Sequence, residues 1–213
     1  MTKRVFHGWR MVAAGAGIQF LQSSMLLQAF GAYVAVLRDD RGWSKTELSL
    51  AAALHQLEAA ILGPLLGWII DRFGTQGVLR AGVLLLGVGF MLLSQIESLA
   101  AFYGAFIVIA LGSSLCGFFP LNVSLIYWFE RKRARALSIV GLGAALGGIA
   151  VPLVAWAIAA FGWRATAFGS GVLFILLGLP LALSMKGRPH LYGQAVDGEP
   201  PAAPAPCPRW AWA

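Results

Sequence analysis

"LLGWIIDRFGTQG", residues Leu65–Gly77, places an acid and a base side by side, Asp71 and Arg72, and follows them with Gly74. Its surroundings are apolar. Upstream lies "SLAAALHQLEAAILGP" (49–64) and downstream "VLRAGVLLLGVGFMLLSQI" (78–96). A helix that crosses a bilayer needs roughly 20 predominantly apolar residues, and each flank supplies about that many. A charged pair and a glycine between two such runs read as a helix end and a short link at a membrane surface, with Gly74 as the stop.

Composition agrees with that reading. Of 213 residues, 59% are hydrophobic and 12% charged, with 26 glycines, and the mean hydropathy is +0.75. A soluble domain is typically about 25% charged. The formal net charge is +7, but the bases fall in clusters between apolar runs, so they report topology and not nucleic-acid binding. The two cysteines, Cys116 in an apolar run and Cys207 in the tail, form neither a disulfide framework nor a metal-binding spacing. No nucleophile elbow, zinc-protease helix, Walker loop or dinucleotide fingerprint occurs. No enzyme, cofactor or metal centre is therefore expected.

Six spanning helices are predicted, at about Arg10–Leu37, Ser44–Ile70, Val78–Ile96, Leu99–Trp128, Ala134–Phe161 and Arg164–Met185. The apolar run starting near Arg10 is too long for a cleaved signal peptide. The links are short: "RDDRGW", "DRFGTQG", "ES", "FERKRAR" and "GW". The fold class is thus an all-α membrane protein with a six-helix bundle. It divides into residues 1–9, a transmembrane domain 10–185, and a Pro- and Ala-rich tail 186–213 predicted to be disordered.

Lysines and arginines set the orientation. Lys3, Arg4, Arg10, Arg72, Arg80, Arg131, Lys132, Arg133, Arg135, Lys186 and Arg188 share one side, and Arg38, Arg41, Lys45 and Arg164 the other. This asymmetry places both termini in the cytoplasm. The cluster from Arg131 to Arg135 is suited to anionic lipid headgroups as well as to topology.

Polar groups inside apolar helices carry the functional expectations. Glu58 lies mid-helix in "LHQLEAAILG". A charge at the bilayer centre costs about 2.5–3.5 kcal/mol on insertion scales, so Glu58 must be neutral, paired or facing water. His55 precedes it by three residues on the same helix face. The pair reads either as a proton-coupling site or as a structural hydrogen bond between helices. Gln19, Gln22 and Asn122 suit either substrate contact or interhelical bonding. Gly67 reads as a close-packing point. Asp71, Arg72, Gly74 and Arg80 read as a cytoplasmic latch that opens when helices tilt. Gly143, Gly147, Gly148 and Pro152 read as a packing face with a bend.

Several motifs in order resemble the major facilitator superfamily. "GWIIDRFG" resembles its signature loop between helices 2 and 3, "RGWSKTELSLA" (41–51) the opening of helix 2, and "WFERKRARALS" (128–138) the basic link before helix 5. "GLGAALGGIAVP" (141–152), "FGWRATAF" (161–168) and "GRPHLYGQAVDG" (187–198) resemble helix 5, the entry to helix 6 and the start of the central cytoplasmic loop. Thr75 and Gln76 stand where the family loop usually carries bases, and Ala134 where it usually carries glycine. The helix 2 opening is similar to the monocarboxylate and oxalate/formate branch.

The resemblance implies one half of a major facilitator fold, in a bacterial inner membrane. It implies secondary transport of a small organic anion by alternating access, with protons as coupling partner and Glu58 as the coupling acid. Family members have two six-helix halves. A truncated transporter, a half-size transporter that dimerises, and a non-transporting scaffold or sensor all remain open. Partners are accordingly the anion, protons, lipids, and a second six-helix half or a second copy.

Overall fold

The computed structural model of the protein describes residues 7–187; the first six residues and the expected Pro-rich tail beyond 187 lie outside it. The described residues form helices α1 Gly8–Gln22, α2 Phe30–Arg41, α3 Lys45–Leu93, α4 Leu99–Cys116, α5 Phe118–Ile126, α6 Arg133–Leu146, α7 Val151–Phe161 and α8 Trp163–Ser184. A π-turn, Ser23–Leu27, joins α1 to α2, and a 3₁₀ turn, Gly147–Ala150, joins α6 to α7. Five stretches are long and apolar enough to cross a membrane: Gly8–Arg41, Lys45–Leu93, Leu99–Ile126, Arg133–Phe161 and Trp163–Ser184.

α3 is far longer than a single bilayer crossing requires. At about 1.5 Å per residue, a straight helix of 49 residues would run about 73 Å, more than twice the roughly 30 Å hydrocarbon core. It is not straight. Gly74 has φ 75° and ψ 150°, a region open essentially to glycine alone. Contacts with α4 show what happens there. In the first arm, Glu47 meets Tyr103, His55 meets Ser113 and Glu58 meets Ser114, so the arm runs parallel to α4. In the second arm, Gly82 abuts Cys116, Gly112 abuts Leu86 and Gly89 abuts Ile109, so that arm runs antiparallel to α4. The chain therefore reverses at Gly74. The link predicted over seven residues shrinks to one non-helical residue, because one positive φ turns the backbone without further loop.

Three other predicted helices are interrupted. The first span passes through the π-turn at Ser23–Leu27. The fourth breaks at Gly117, with φ −77° and ψ −162°. Three residues on, Pro120 lacks the N–H that a continuous helix would direct at the Cys116 carbonyl. The fifth tightens into the 3₁₀ turn just before Pro152.

Local chemistry fixes where α3 and α4 start. The Ser44 hydroxyl accepts from the Glu47 N–H at 3.2 Å, and the Glu47 carboxylate accepts from the Ser44 N–H at 2.8 Å, a capping box. Ser98 accepts from the Ala101 N–H at 3.2 Å and caps α4. Close backbone approach then holds the second arm of α3 against α4: a Cβ on Gly82 would stand 2.6 Å from the Cys116 nitrogen.

The links gather at two ends. At one, His7 Nε2 lies 3.0 Å from the Ser184 carbonyl, Trp9 packs edge-on against Phe129, and the buried Trp128 donates to the Gly187 carbonyl. At the other, Arg41 and Arg164 donate to the Ile96 carbonyl at 3.1 and 3.2 Å, and the Trp163 indole donates to Asp40 at 3.0 Å. The core between them includes Ile18, Leu86, Phe90, Phe102, Ile109 and Phe174.

Candidate functional site

Five polar side chains from three spans meet inside the bundle. Gln22, 4% exposed, donates from Nε2 to the Ser113 hydroxyl at 2.6 Å and to the Ser113 carbonyl at 3.1 Å. A carbonyl can only accept, so the second contact fixes which end of the amide faces α4. Across from Gln22, His55 Nε2 lies 3.3 Å from the same Ser113 hydroxyl. One turn along, Ser114 donates to Glu58 Oε2 at 3.0 Å. Two acceptor atoms, Gln22 Oε1 and Glu58 Oε1, are buried with no hydrogen-bond partner.

The geometry follows from the elements. The capping box at Ser44 starts α3 and sets His55 and Glu58 three residues apart on one face. The same arm runs parallel to α4, so they meet consecutive residues, Ser113 and Ser114. Gly117 ends α4 beside them. A Cβ there would stand 2.6 Å from the Ser113 carbonyl and 3.7 Å from Gln22 Nε2.

A cavity of about 390 Å³ lies against this cluster, lined by Gln19, Gln22, His55 and Ser114 together with Phe118 and Phe119. A second cavity, of about 310 Å³, lies toward the Arg41 end and includes Phe30, Ala52 and Gln56. His55 and Leu27 line both, so they stand where the two meet.

Two helix irregularities face each other nearby. The π-turn lies against the 3₁₀ turn, where a Cβ on Gly147 would stand 2.7 Å from Ser23. Gln28 bridges them, donating to the Ser23 hydroxyl at 3.0 Å and to the Ala144 carbonyl at 3.3 Å. A Cβ on Gly148 would stand 2.7 Å from the Gln28 side-chain oxygen. The backbone of Gly143 approaches Ala16 equally closely, and Pro152 sits in the first turn of α7.

The other expected residues are placed differently. Asp71, Arg72 and Gly74 are exposed, and neither Asp71 nor Arg72 forms an ion pair among the described residues, whereas Arg41 pairs with Asp40 at 3.6 Å. Arg80 is half-buried, and its Nε has no hydrogen-bond partner. Gly67, expected as a close-packing point, has no close neighbour within this chain: a Cβ there would meet nothing within 4 Å among the described residues. Asn122 is half-buried with its Oδ1 unpartnered, and it is not among the residues lining the 390 Å³ cavity. Gln19 and Gln22 are brought together with His55, while Glu58 joins through Ser114.

Sequence reasoning missed Ser113 and Ser114, the residues that connect the others. Their signal was present: a serine pair in "ALGSSLCG", deep in an apolar helix. Gln28 and the π-turn were also missed, since neither glycine nor proline marks "QSSMLLQ".

The Major Facilitator Superfamily model matches residues 12–211. Over 166 residues the chain is 30% identical to an MFS-type transporter of Gibberella moniliformis, covering 72% of this chain and 37% of that protein. It is 28% identical over 163 residues to the MFS-type transporter pytF of Aspergillus terreus, covering 74% and 55%. It is 34% identical over 125 residues to the multidrug resistance protein MdtH of Aeromonas salmonicida, covering 56% and 31%. The chain thus spans about a third to a half of the length of these relatives. Members of the family are transporters, not enzymes. With its long apolar helices and a family model that matches nearly its whole length, this integral, multi-pass membrane protein belongs to the Major Facilitator Superfamily.

Proposed function

We propose that this chain forms one six-helix half of a secondary transporter that moves small organic solutes by alternating access, with Glu58 as the proton-coupling acid. The observation that carries the reading is the cluster of Gln22, Ser113, His55 and Glu58. It joins three spans beside a cavity, and its one carboxylate has a single hydrogen-bond partner. Intramembrane ionisable groups mark transport pathways and proton relays, and family sites lie near the midplane between repeats.

The sixth crossing in this reading comes from the reversal at Gly74, which makes two spans of α3. The 1–9, 10–185 and 186–213 division and the cytoplasmic placement of both termini rest on the distribution of bases. A bacterial inner membrane rests on the resemblance alone. The second wall of the transport path comes from another six-helix unit, further along a longer chain or in a second copy. Large side chains left exposed, such as Leu57, Ile61, Ile149 and Leu153 at 58–74%, supply surface for it. Asp71, Arg72, Gly74 and Arg80 would latch against that unit, which explains why Asp71 and Arg72 have no ion pair here.

A monocarboxylate cargo follows from the branch resemblance. No lysine or arginine lines the 390 Å³ cavity, so charge pairing to such an anion falls to the second wall. The test is uptake into proteoliposomes under an inward proton gradient, with a labelled monocarboxylate and a labelled organic amine in parallel. Gradient-driven accumulation of either supports transport. Its absence for both, in protein shown to be folded, overturns the proposal.

A further inference from the structure

The wall carried by this chain has a definite polarity. The two orphaned buried atoms of the polar cluster, Gln22 Oε1 and Glu58 Oε1, are both acceptors. The contact of Gln22 Nε2 with the Ser113 carbonyl holds that amide with its nitrogen turned away into α4. Leaving a buried acceptor unpaired costs about 1–3 kcal/mol; of the two, Gln22 lines the cavity, so a cargo that donates a hydrogen bond to its Oε1 recovers free energy there and one that only accepts does not. Gln19 can donate or accept and does not decide the question. The ionisable groups of the cluster are Glu58 and His55. Phe118 and Phe119 line the same cavity and are 45% and 48% exposed. Aromatic faces attract cations and repel the electron-rich oxygens of an anion. Leu27 and Leu66 complete an apolar lining.

Resting on the transporter reading above, we infer that the cavity lined by Gln22, Phe118 and Phe119 takes an amphipathic organic ammonium: an N–H-bearing cation on an apolar or aromatic body. The ammonium donates to Gln22 Oε1 and draws on the negative charge of Glu58, held one hydrogen bond behind the wall by Ser114. The body packs against Phe118, Phe119 and Leu66. This cargo is opposite in charge to the one implied by branch resemblance.

The test uses the full 213-residue chain in nanodiscs of neutral lipid, with empty nanodiscs subtracted. Three probes share one ring system: 1-naphthylmethylammonium, its N-trimethyl analogue without N–H donors, and 1-naphthoate. The ammonium is expected to bind about tenfold or more tighter than the naphthoate, as a hydrogen bond from a charged donor implies. The trimethyl analogue should fall between them. Gln22→Leu should reduce the preference of the ammonium over its trimethyl analogue to within about threefold, and Glu58→Gln should weaken both cations together. The comparison among probes on the unmodified protein stands even if a variant fails to fold. Naphthoate binding as tight as the ammonium, or no binding of any probe, overturns the inference. Exchange of labelled ammonium across proteoliposomes separates the two claims. Selective binding without exchange counts against transport alone, and exchange with anion-selective binding counts against the cargo class alone.

Discussion

Removing the Ser113 hydroxyl should destabilise the bundle through two partners at once. In Ser113→Ala, Gln22 loses its 2.6 Å bond and His55 its 3.3 Å contact, while the Gln22 bond to the backbone carbonyl at 3.1 Å survives. Hydrogen bonds between membrane helices average about 0.6 kcal/mol and reach about 1.7. The short, buried Gln22 bond belongs near the upper figure and the longer His55 contact near or below the mean, giving a loss of about 2 kcal/mol in all. Reversible unfolding of the purified protein by SDS titration in mixed micelles measures it. A double-mutant cycle with Gln22→Leu isolates the pair, and its coupling energy should be about 1 kcal/mol or more, as contacting residues in one network show. A coupling below about 0.3 kcal/mol, within the scatter of independent sites, would refute the view that Ser113 ties α1 to α4.

Other substitutions test the fold and its orientation. Gly74→Ala should destabilise by about 1–3 kcal/mol, because φ 75° with ψ 150° strains any residue with a Cβ; the same titration reads it. Gly82→Ala should cost about 1–3 kcal/mol, since its Cβ would meet the Cys116 backbone, whereas Gly67→Ala, with open space around it, should stay within about 0.5 kcal/mol of neutral or gain slightly. Single cysteines at Arg72 and Glu130 should react with a membrane-impermeant maleimide from one side of the membrane only. Cysteines at Asp40 and Gly162 should react from the other, and labelling of both pairs from one side would contradict the alternation of spans.

Some features were legible because they repeat or punctuate. Gly74 stood out as a break in a continuous apolar run, and the structure turns the chain at that residue. His55 and Glu58 could be placed on one face because three residues make nearly a full helical turn, and they meet α4 through adjacent serines. Gly147, Gly148 and Pro152 stood out in the apolar run, and the helix tightens into the 3₁₀ turn there. The π-turn had no such marker. It depends on α1 meeting the tight turn before α7, a tertiary constraint that local sequence does not carry. Ser113 was illegible for a related reason: a single hydroxyl in an apolar helix bonds to its own backbone as easily as to a neighbour, and only the placement of Gln22 and His55 selects the second. Asp71 and Arg72 read as half of a latch in the sequence, while the fold leaves both exposed and without an ion pair among the described residues.

Proton movement itself is the most direct measure of the coupling proposed for Glu58. Proteoliposomes holding a trapped pH-sensitive dye should show an internal acidification that appears only on adding a transported organic solute to the outside. Glu58→Gln should abolish that signal while exchange of labelled solute across the membrane, weakened by the lost charge, stays measurable at saturating solute, since the path itself remains. Solute-dependent acidification of the same size in Glu58→Gln would contradict the role given to this carboxylate.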